Sequence, residues 1–521
     1  MLGKMCCGLA VFVWIVMAPP AGAQSADGRW KAIEGRPDCT YLRLRVIDSE
    51  RPENAHVAKW TGVCQEGRVH GLGTLTETSR KGTVSAIGSF ENGKLQGIAT
   101  LEATLTKDNE ALEFVYAGEF YNSVMDGPGE LHLGGKYTLS GSFKMLFPYG
   151  HVRLTVKDQM TLEGEAKGWG IAGPGKITYA NGDRYEGEIQ GLEKHGDGVL
   201  IEADGTRREG EFQNDVLHGQ GVRIFPNGYR EEGEFKDGKL NGQGVRTFPD
   251  GGRQEGEFRD GNFSGQGVMI VPNGNRLEGE FTDGIMTGYG TKTYADGTRF
   301  EGDFVDGEIH GYGVAEYANS GRYEGGFRKG QYHGQGVLTG PDGSQYKGAF
   351  VNHIRDGSGV LTLANGERHE GTYGDGHLQG FGKSTFPDGA WFEGEFVDGQ
   401  WSGTGTLHTA SGDVYKGNFV NGDRNGKGVY IFSDGRRLEG DFTDGSVQGQ
   451  GIMYFPTGQT YEGEFKDNLI HGHGTYRYLH NSECEGEWRN EELVGQGEGM
   501  YRGRPATCYD KDGKIVFILE K

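Results

Sequence analysis

The chain of 521 residues is short of side chains that fill a deep interior. Apolar and aromatic residues make up only 34 %, against the roughly 45–50 % usual for globular domains, a reference that also counts Gly. Proline is scarce at 14 residues, and glycine does not recur at every third position, which excludes collagen. Cysteine is scarce too, with six residues, and neither CxxC nor zinc-type His spacing accompanies them, so a zinc site is not supported. Basic residues are the minority, 53 Lys plus Arg against 74 Asp plus Glu, for a net charge of −21. Such a surface repels polyanions. It excludes nucleic acid as an expected partner and disfavours peripheral contact with an anionic membrane. Beyond the first two dozen residues no apolar run is long enough to span a bilayer.

What is abundant is glycine, 97 residues or about 19 % against a usual 7 % or so. Aromatics stand at 11 %, whereas disordered segments are poor in them. A Gly-rich, aromatic-rich and core-poor chain fits a shallow repeating β architecture.

The N-terminus carries Lys4, an apolar stretch from Met5 to Met17, and Ala21-Gly22-Ala23. One positive charge, a short hydrophobic run and small residues before Gln24 predict a secretory signal peptide over 1–23, cleaved between Ala23 and Gln24. The expected localisation is exported, periplasmic or secreted. Cys6 and Cys7 leave with the signal, so four cysteines remain. Cys39 and Cys64 are 25 residues apart and Cys484 and Cys508 are 24 apart. In an oxidising compartment these local pairs are the easiest to close, and disulfides Cys39–Cys64 and Cys484–Cys508 are expected.

Aligned on Glu-Gly-Glu segments, the chain repeats every 23 residues without insertion from Tyr185, through fourteen units beginning at 185, 208, 231 and so on to Cys484. Positions 3, 12 and 14 of the unit are Gly in all fourteen, and position 5 is Phe, Tyr or Trp in thirteen, Ile189 being the exception. Weaker units begin at Leu162, Leu139 and Tyr116, and two more, at Ala86 and Trp60, are separated by extra residues, for about nineteen in all. Positions 1–5 alternate as a strand, as in Tyr461-Glu462-Gly463-Glu464-Phe465. Positions 6–11 read as a loop, and positions 13–18 as a second strand ending at an Asn-Gly or Asp-Gly turn such as Pro226-Asn227-Gly228. The fold class expected is therefore all-β: an elongated single-sheet solenoid of antiparallel hairpins with disulfide-stapled ends. At about 4.8 Å per strand, nineteen units would reach roughly 180 Å.

Alternation sends positions 1, 3 and 5 to one face, as an aromatic ladder lying over glycine backbone. Positions 2, 4 and 23 face the other way, where Glu recurs at 2 and Arg at 23, as in Arg299 with Glu301, read as cross-strand neighbours. The ladder has two readings, packing or a groove of binding anchors. The candidate groove residues are Tyr185, Phe212, Phe235, Phe258, Phe281, Phe300, Phe304, Tyr323, Phe327, Tyr346, Phe350, Phe392, Phe396, Tyr415, Phe419, Tyr461 and Phe465.

The series Phe300, Gly302, Phe304, Gly307, His310, Gly311 and Gly313 resembles the MORN (membrane occupation and recognition nexus) repeat, as do Tyr323 through Gly336 and Trp60, Gly62, Gly67, His70, Gly71 and Gly73. The resemblance covers roughly residues 60 to 506. It implies an elongated, twisted sheet of hairpins, and a role as scaffold, dimerisation rod or binding groove, in some relatives joined to a kinase or methyltransferase domain or associated with phospholipid membranes. The chain departs from the pattern where position 8 is not Gly, at Leu192, Asp215, His353, Asn468 and Glu491, and those loops are expected to be less uniform.

The expected organisation is a signal at 1–23, an N-terminal cap at 24–59 with a strand over Tyr41–Val46, degenerate repeats at 60–161, the regular array at 162–506 and a C-terminal cap strand at 507–521. The non-repeat remainder is too short for a catalytic domain, so no enzyme, catalytic residue, cofactor or metal site is expected. The Gly-x-Gly pairs precede strands, not the helix a dinucleotide loop needs, and the recurrent His residues stand about 10 Å apart, too far to share one metal. Acidic loops such as Asn181-Gly182-Asp183 lack dense calcium-ligand spacing. The function expected is a non-enzymatic scaffold binding protein partners, a second copy included, in the cell envelope or exterior. The alternative is a module for membrane phospholipid or envelope glycan.

Overall fold

The computed structural model describes residues 30–42, 57–79, 82–107 and 110–521. The signal segment with Ala23 and Gln24, and residues 43–46 of the expected Tyr41–Val46 strand, lie outside the described residues. Among those described there are forty-four strands and no helix. The chain divides into two compact units, Met1–Pro272 and Asn273–Lys521. Within each, strands adjacent in sequence pair antiparallel, hairpin after hairpin; among the described residues the departures include Val57–Trp60 and Ser482–Arg489, which each pair past a sequence neighbour, and a parallel contact of Thr40 with Arg68. The all-β, single-sheet hairpin class is thus observed.

The unit at 231 shows the anatomy. Strand Arg230–Lys236 is followed by strand Lys239–Thr247, and between them stand only Asp237 and Gly238. The six-residue loop read at positions 6–11 is therefore corrected to a two-residue turn at positions 7 and 8. Both residues have positive φ, 50° and 77°, the geometry of a primed turn whose twist matches the flanking strands. Each such turn is latched to the preceding hairpin: Gly238 N donates to Leu217 O at 2.9 Å, Gly261 N to Leu240 O at 2.8 Å and Gly330 N to Ile309 O at 3.0 Å. The Pro-Asn-Gly segment forms the wider connection between hairpins. There Phe225 N donates to Tyr229 O, and the Asn227 side chain accepts from Tyr229 N at 2.9 Å, the local capping that favours Asn in turns.

Each hairpin also contains a bulge. Gly233 faces Gly244 and Phe235 faces Leu240, so one residue of the first strand, position 4, stands opposite three of the return strand, positions 11–13. The same shift recurs in both units. A bulge of this kind bends its strand and re-aims the side chains on it.

Four of the five position 8 departures adopt the same turn. Asp215, His353, Asn468 and Glu491 have φ between 67° and 73°. Three of them compensate with the side chain: Asn468 Oδ1 accepts from Val447 N at 2.8 Å, Asp215 Oδ1 from Lys194 N at 3.0 Å and His353 Nδ1 from Tyr332 N at 3.4 Å. The expectation of less uniform loops fails at these four sites, at three of which a local hydrogen bond offsets the cost of the left-handed backbone, and holds at Leu192, where only Gly191 before it has positive φ, 72°. In the N-terminal region the extra residues lengthen hairpins and do not form loops, giving strands Lys94–Lys107 and Glu110–Tyr121.

Both expected disulfides are formed, with Cα–Cα distances of 5.9 Å for Cys39–Cys64 and 6.0 Å for Cys484–Cys508. Cys39, Cys484 and Cys508 are fully buried. Cys484 stands at position 1 of its unit, where other units place a tyrosine. The last strand, Lys514–Leu519, pairs with Arg504–Lys511 as expected of a cap strand.

Candidate binding face

The position 5 rings Phe212, Phe235, Phe258, Phe281, Phe304, Phe327, Phe350, Phe396, Phe419 and Phe465 are all 3 % exposed or less. The position 1 residues Tyr185, Tyr323, Tyr346, Phe392, Tyr415 and Tyr461 are buried as fully, and Phe300 is half-buried. Tyr323, Tyr346, Phe392, Tyr415 and Tyr461 each meet position 5 of their own hairpin and of the next edge-on: Tyr323 lies 5.0 Å from Phe327 and 5.3 Å from Phe350, and Tyr415 lies 5.1 Å from Phe419 and 4.8 Å from Phe442. Such pairs add about 0.5–1.5 kcal/mol beyond their buried area. The residues read as a candidate groove therefore form the packed side of the sheet.

Glycine at positions 3 and 14 makes this packing possible. A Cβ on Gly336 would sit 2.6 Å from ring carbons of Tyr323, and one on Gly198 2.5 Å from those of Tyr185, so the ring lies directly on backbone. The phenol then reaches the bulge: Tyr185 donates to Glu188 O at 2.7 Å, Tyr323 to Gly326 O at 2.8 Å and Tyr415 to Asn418 O at 3.1 Å. In each case the acceptor is the position 4 carbonyl. Burial raises these phenols above their usual range, to about 12 for Tyr323 and Tyr415.

Sequence reasoning missed position 10. It is apolar in eleven of the fourteen units, and Leu217, Leu240, Phe263, Met286, Leu378 and Val447 are buried there. The signal lay in the sequence, hidden by the loop assigned to positions 6–11. Where position 10 is Arg355 or Arg424, the guanidinium lies over Tyr346 at 5.5 Å or Tyr415 at 5.7 Å. Where position 1 is not aromatic, position 10 covers the glycines instead, as Met286 does at Gly290 and Phe263 at Gly267.

In the first unit the packed face also carries charge: Lys194, at position 10 and 7 % exposed, bridges Asp215 at 3.0 Å. Glu231, at position 1 and 5 % exposed, bridges Arg223 at 3.3 Å and Arg246 at 3.0 Å, while Tyr229 donates to it at 3.0 Å. Arg208 pairs with Glu202 at 2.8 Å.

The opposite face is the exposed one. Arg207–Glu209, Arg253–Glu255, Arg299–Glu301 and Arg368–Glu370 pair at 2.5–2.8 Å. These partners are two residues apart on one strand, so the cross-strand reading is corrected to a same-strand one: alternation places positions 23 and 2 side by side on the same edge of the pleat. At this exposure each pair adds well under about 1 kcal/mol. Alternation from the packed glycine at position 14 turns position 13 to this face, opposite position 4 of the next unit, and its aromatic occupants are the most exposed rings of the second unit: Tyr289 at 62 %, Tyr312 at 63 % and Phe381 at 68 %. A shallow depression beside Phe381 is lined by Trp391, Glu393, Thr404, His408 and Lys416. Trp391 stacks on His408 at 3.8 Å and takes Lys383 over its ring at 4.6 Å. Among the described residues no group of three or more His, Cys, Asp or Glu is placed to hold a metal ion.

Hairpins of fixed length, bulged at the same place and backed by glycine under tyrosine, define an all-β hairpin-repeat protein. The MORN repeat description matches fourteen segments of it, at 116–134, 170–184 and then from 209–228 to 461–478, more than half the chain. The chain belongs to the MORN repeat family. No curated protein matches it by sequence. Two solved structures align with it: a catalytically inactive virginiamycin B lyase from Staphylococcus aureus with quinupristin, and a streptogramin B lyase. The first is 12 % identical over 69 % of this chain and 96 % of that one with a TM-score of 0.11. The second is 15 % identical over 78 % and 95 % with a TM-score of 0.08. Similarities this slight carry no argument.

Proposed function

We propose that this chain is a non-enzymatic repeat scaffold that binds protein partners on its outer face, outside the cytosol, in the cell envelope or exterior. The observation that supports this reading most is the division of labour between the faces. The rings at positions 1 and 5 are buried against one another, whereas positions 2, 4, 13 and 23 present an exposed array of charged and aromatic side chains in constant register. Protein interfaces draw on aromatic and Arg anchors set in such polar surroundings. The buried disulfides favour an oxidising compartment.

Affinity capture with cross-linking from native envelope extract tests the proposal. Cross-links from a protein partner should concentrate on positions 2, 4, 13 and 23. Recovery of glycan or phospholipid without protein overturns it, as does strong flotation with anionic vesicles in the absence of calcium.

A further inference from the structure

Tyr289 and Tyr312 occupy the same place, position 13, in consecutive hairpins, and each is fixed in the same way. Tyr289 Oη donates to Glu301 Oε1 at 2.6 Å, and Glu301 is held by Arg299 at 2.6 Å. Tyr312 Oη donates to Glu324 Oε1 at 2.7 Å, and Glu324 is held by Arg322 at 2.5 Å. The hydrogen bond to the carboxylate raises both phenols above their ordinary range, so both rings stay neutral hydrogen-bond donors. The hairpins are in register here, with Gly290 facing Gly302 and Gly302 facing Gly313. The two rings therefore repeat across two strand spacings, about 9.6 Å.

Both rings are more than 60 % exposed. Glu280 and Asp303, at position 4, add exposed carboxylates on the same face, in a chain of net charge −21. An electron-rich ring beside carboxylates suits a cation above its face, and the overall charge draws a basic partner and repels an acidic one. Spacing narrows the partner further. In a β-strand residues i and i+3 point to opposite sides. A polyproline II segment, with three residues per turn and about 3.1 Å per residue, places every third side chain on one side at about 9.3 Å.

We propose that Tyr289 and Tyr312 dock a polyproline II segment of a protein partner that carries Lys or Arg at every third residue and runs across the strands, one cation over each ring. The proposal rests on the protein-scaffold reading above and names the chemistry of its partner.

A fluorescein-labelled Lys-Pro-Pro repeat peptide, titrated into the full chain at physiological salt and followed by anisotropy, tests it. Comparators are a peptide of equal composition with contiguous lysines, a Glu-Pro-Pro repeat and a chito-oligosaccharide. The Lys-Pro-Pro peptide should bind best. Tyr289→Leu with Tyr312→Leu should weaken it about tenfold at unchanged melting temperature, and Tyr289→Phe with Tyr312→Phe, which keeps both rings, should retain most of the binding. Equal binding by the double Leu variant, equal binding of the contiguous-lysine peptide, or tighter binding of the oligosaccharide would each overturn the proposal. A protein partner captured equally by wild type and the double Leu variant overturns it too, and leaves the scaffold reading standing.

Discussion

Tyr185 does two things from one position: its ring covers Gly187 and Gly198, and its hydroxyl reaches the carbonyls of Glu188 at 2.7 Å and His195 at 3.2 Å. Tyr185→Phe keeps the ring and strands the bulge carbonyl. A loss of about 1 kcal/mol is expected, read by chemical denaturation. The tyrosine ladder also sets the response to alkali. Burial raises the phenols of Tyr323, Tyr373 and Tyr415 from 10 to about 12 in the folded chain. Between those values the unfolded state loses protons that the folded state keeps. Their stabilisation is thus whole below pH 10 and falls as pH rises towards 12. Unfolding free energy measured from pH 8 to 12 should be flat, then decline, together with delayed phenolate absorbance. His369, which replaces the ladder tyrosine in its unit, acts oppositely. Burial lowers its pKa from 6.5, so its contribution is present above pH 6.5 and is lost as pH falls through the folded value.

At the scale of the hairpin, the turn and the bulge fix the unit. Positions 7 and 8 both need positive φ, which Asp-Gly supplies at little cost. Glu491 adopts φ 73° there without the side-chain bond that Asp215, His353 and Asn468 make. Glu491→Gly should therefore stabilise the chain by about 0.5–1 kcal/mol in equilibrium denaturation. Asn468→Gly sacrifices the 2.8 Å bond to Val447 N and should be close to neutral. If the two replacements behave alike, the compensation argument is wrong. The hairpin was only partly legible in the sequence. Gly at positions 3, 12 and 14 announced it, but the run from position 6 to 11, mostly polar, looked like a loop. Position 10 is apolar only once per unit, and one residue in 23 makes no local period. Its role emerges when Leu217 is seen facing Phe212, or Leu240 facing Phe235.

At the scale of the whole molecule, stability is built from neighbour contacts, as in repeat proteins generally, and the disulfides act where the array stops. Cys484 sits in the last regular unit and Cys508 in the strand Arg504–Lys511, which the final strand covers. Closing a loop of 24 residues contributes roughly 3 kcal/mol in the chain-entropy model. Cys508→Ser is expected to lower the melting temperature of the C-terminal hairpins and to leave the N-terminal region unchanged, as site-resolved hydrogen exchange would report. Equal melting of the oxidised and variant proteins would contradict this.

The sequence by itself determined the repeat length, the hairpin class and the disulfide pairing, because each depends on residues close along the chain: glycines at fixed offsets, a 23-residue register, cysteines 24 and 25 apart. Only the tertiary structure decided which residues each face buries and which it displays. Whether Phe327 is a groove wall or a core residue depends on Phe300, from the preceding hairpin, and Tyr332, from the return strand, closing over it. Whether Tyr312 is displayed with a partner depends on the next strand, whose Glu324 takes its hydroxyl. Burial and bulge geometry arise from how strands stack against one another, and that information is shared among residues far apart in sequence.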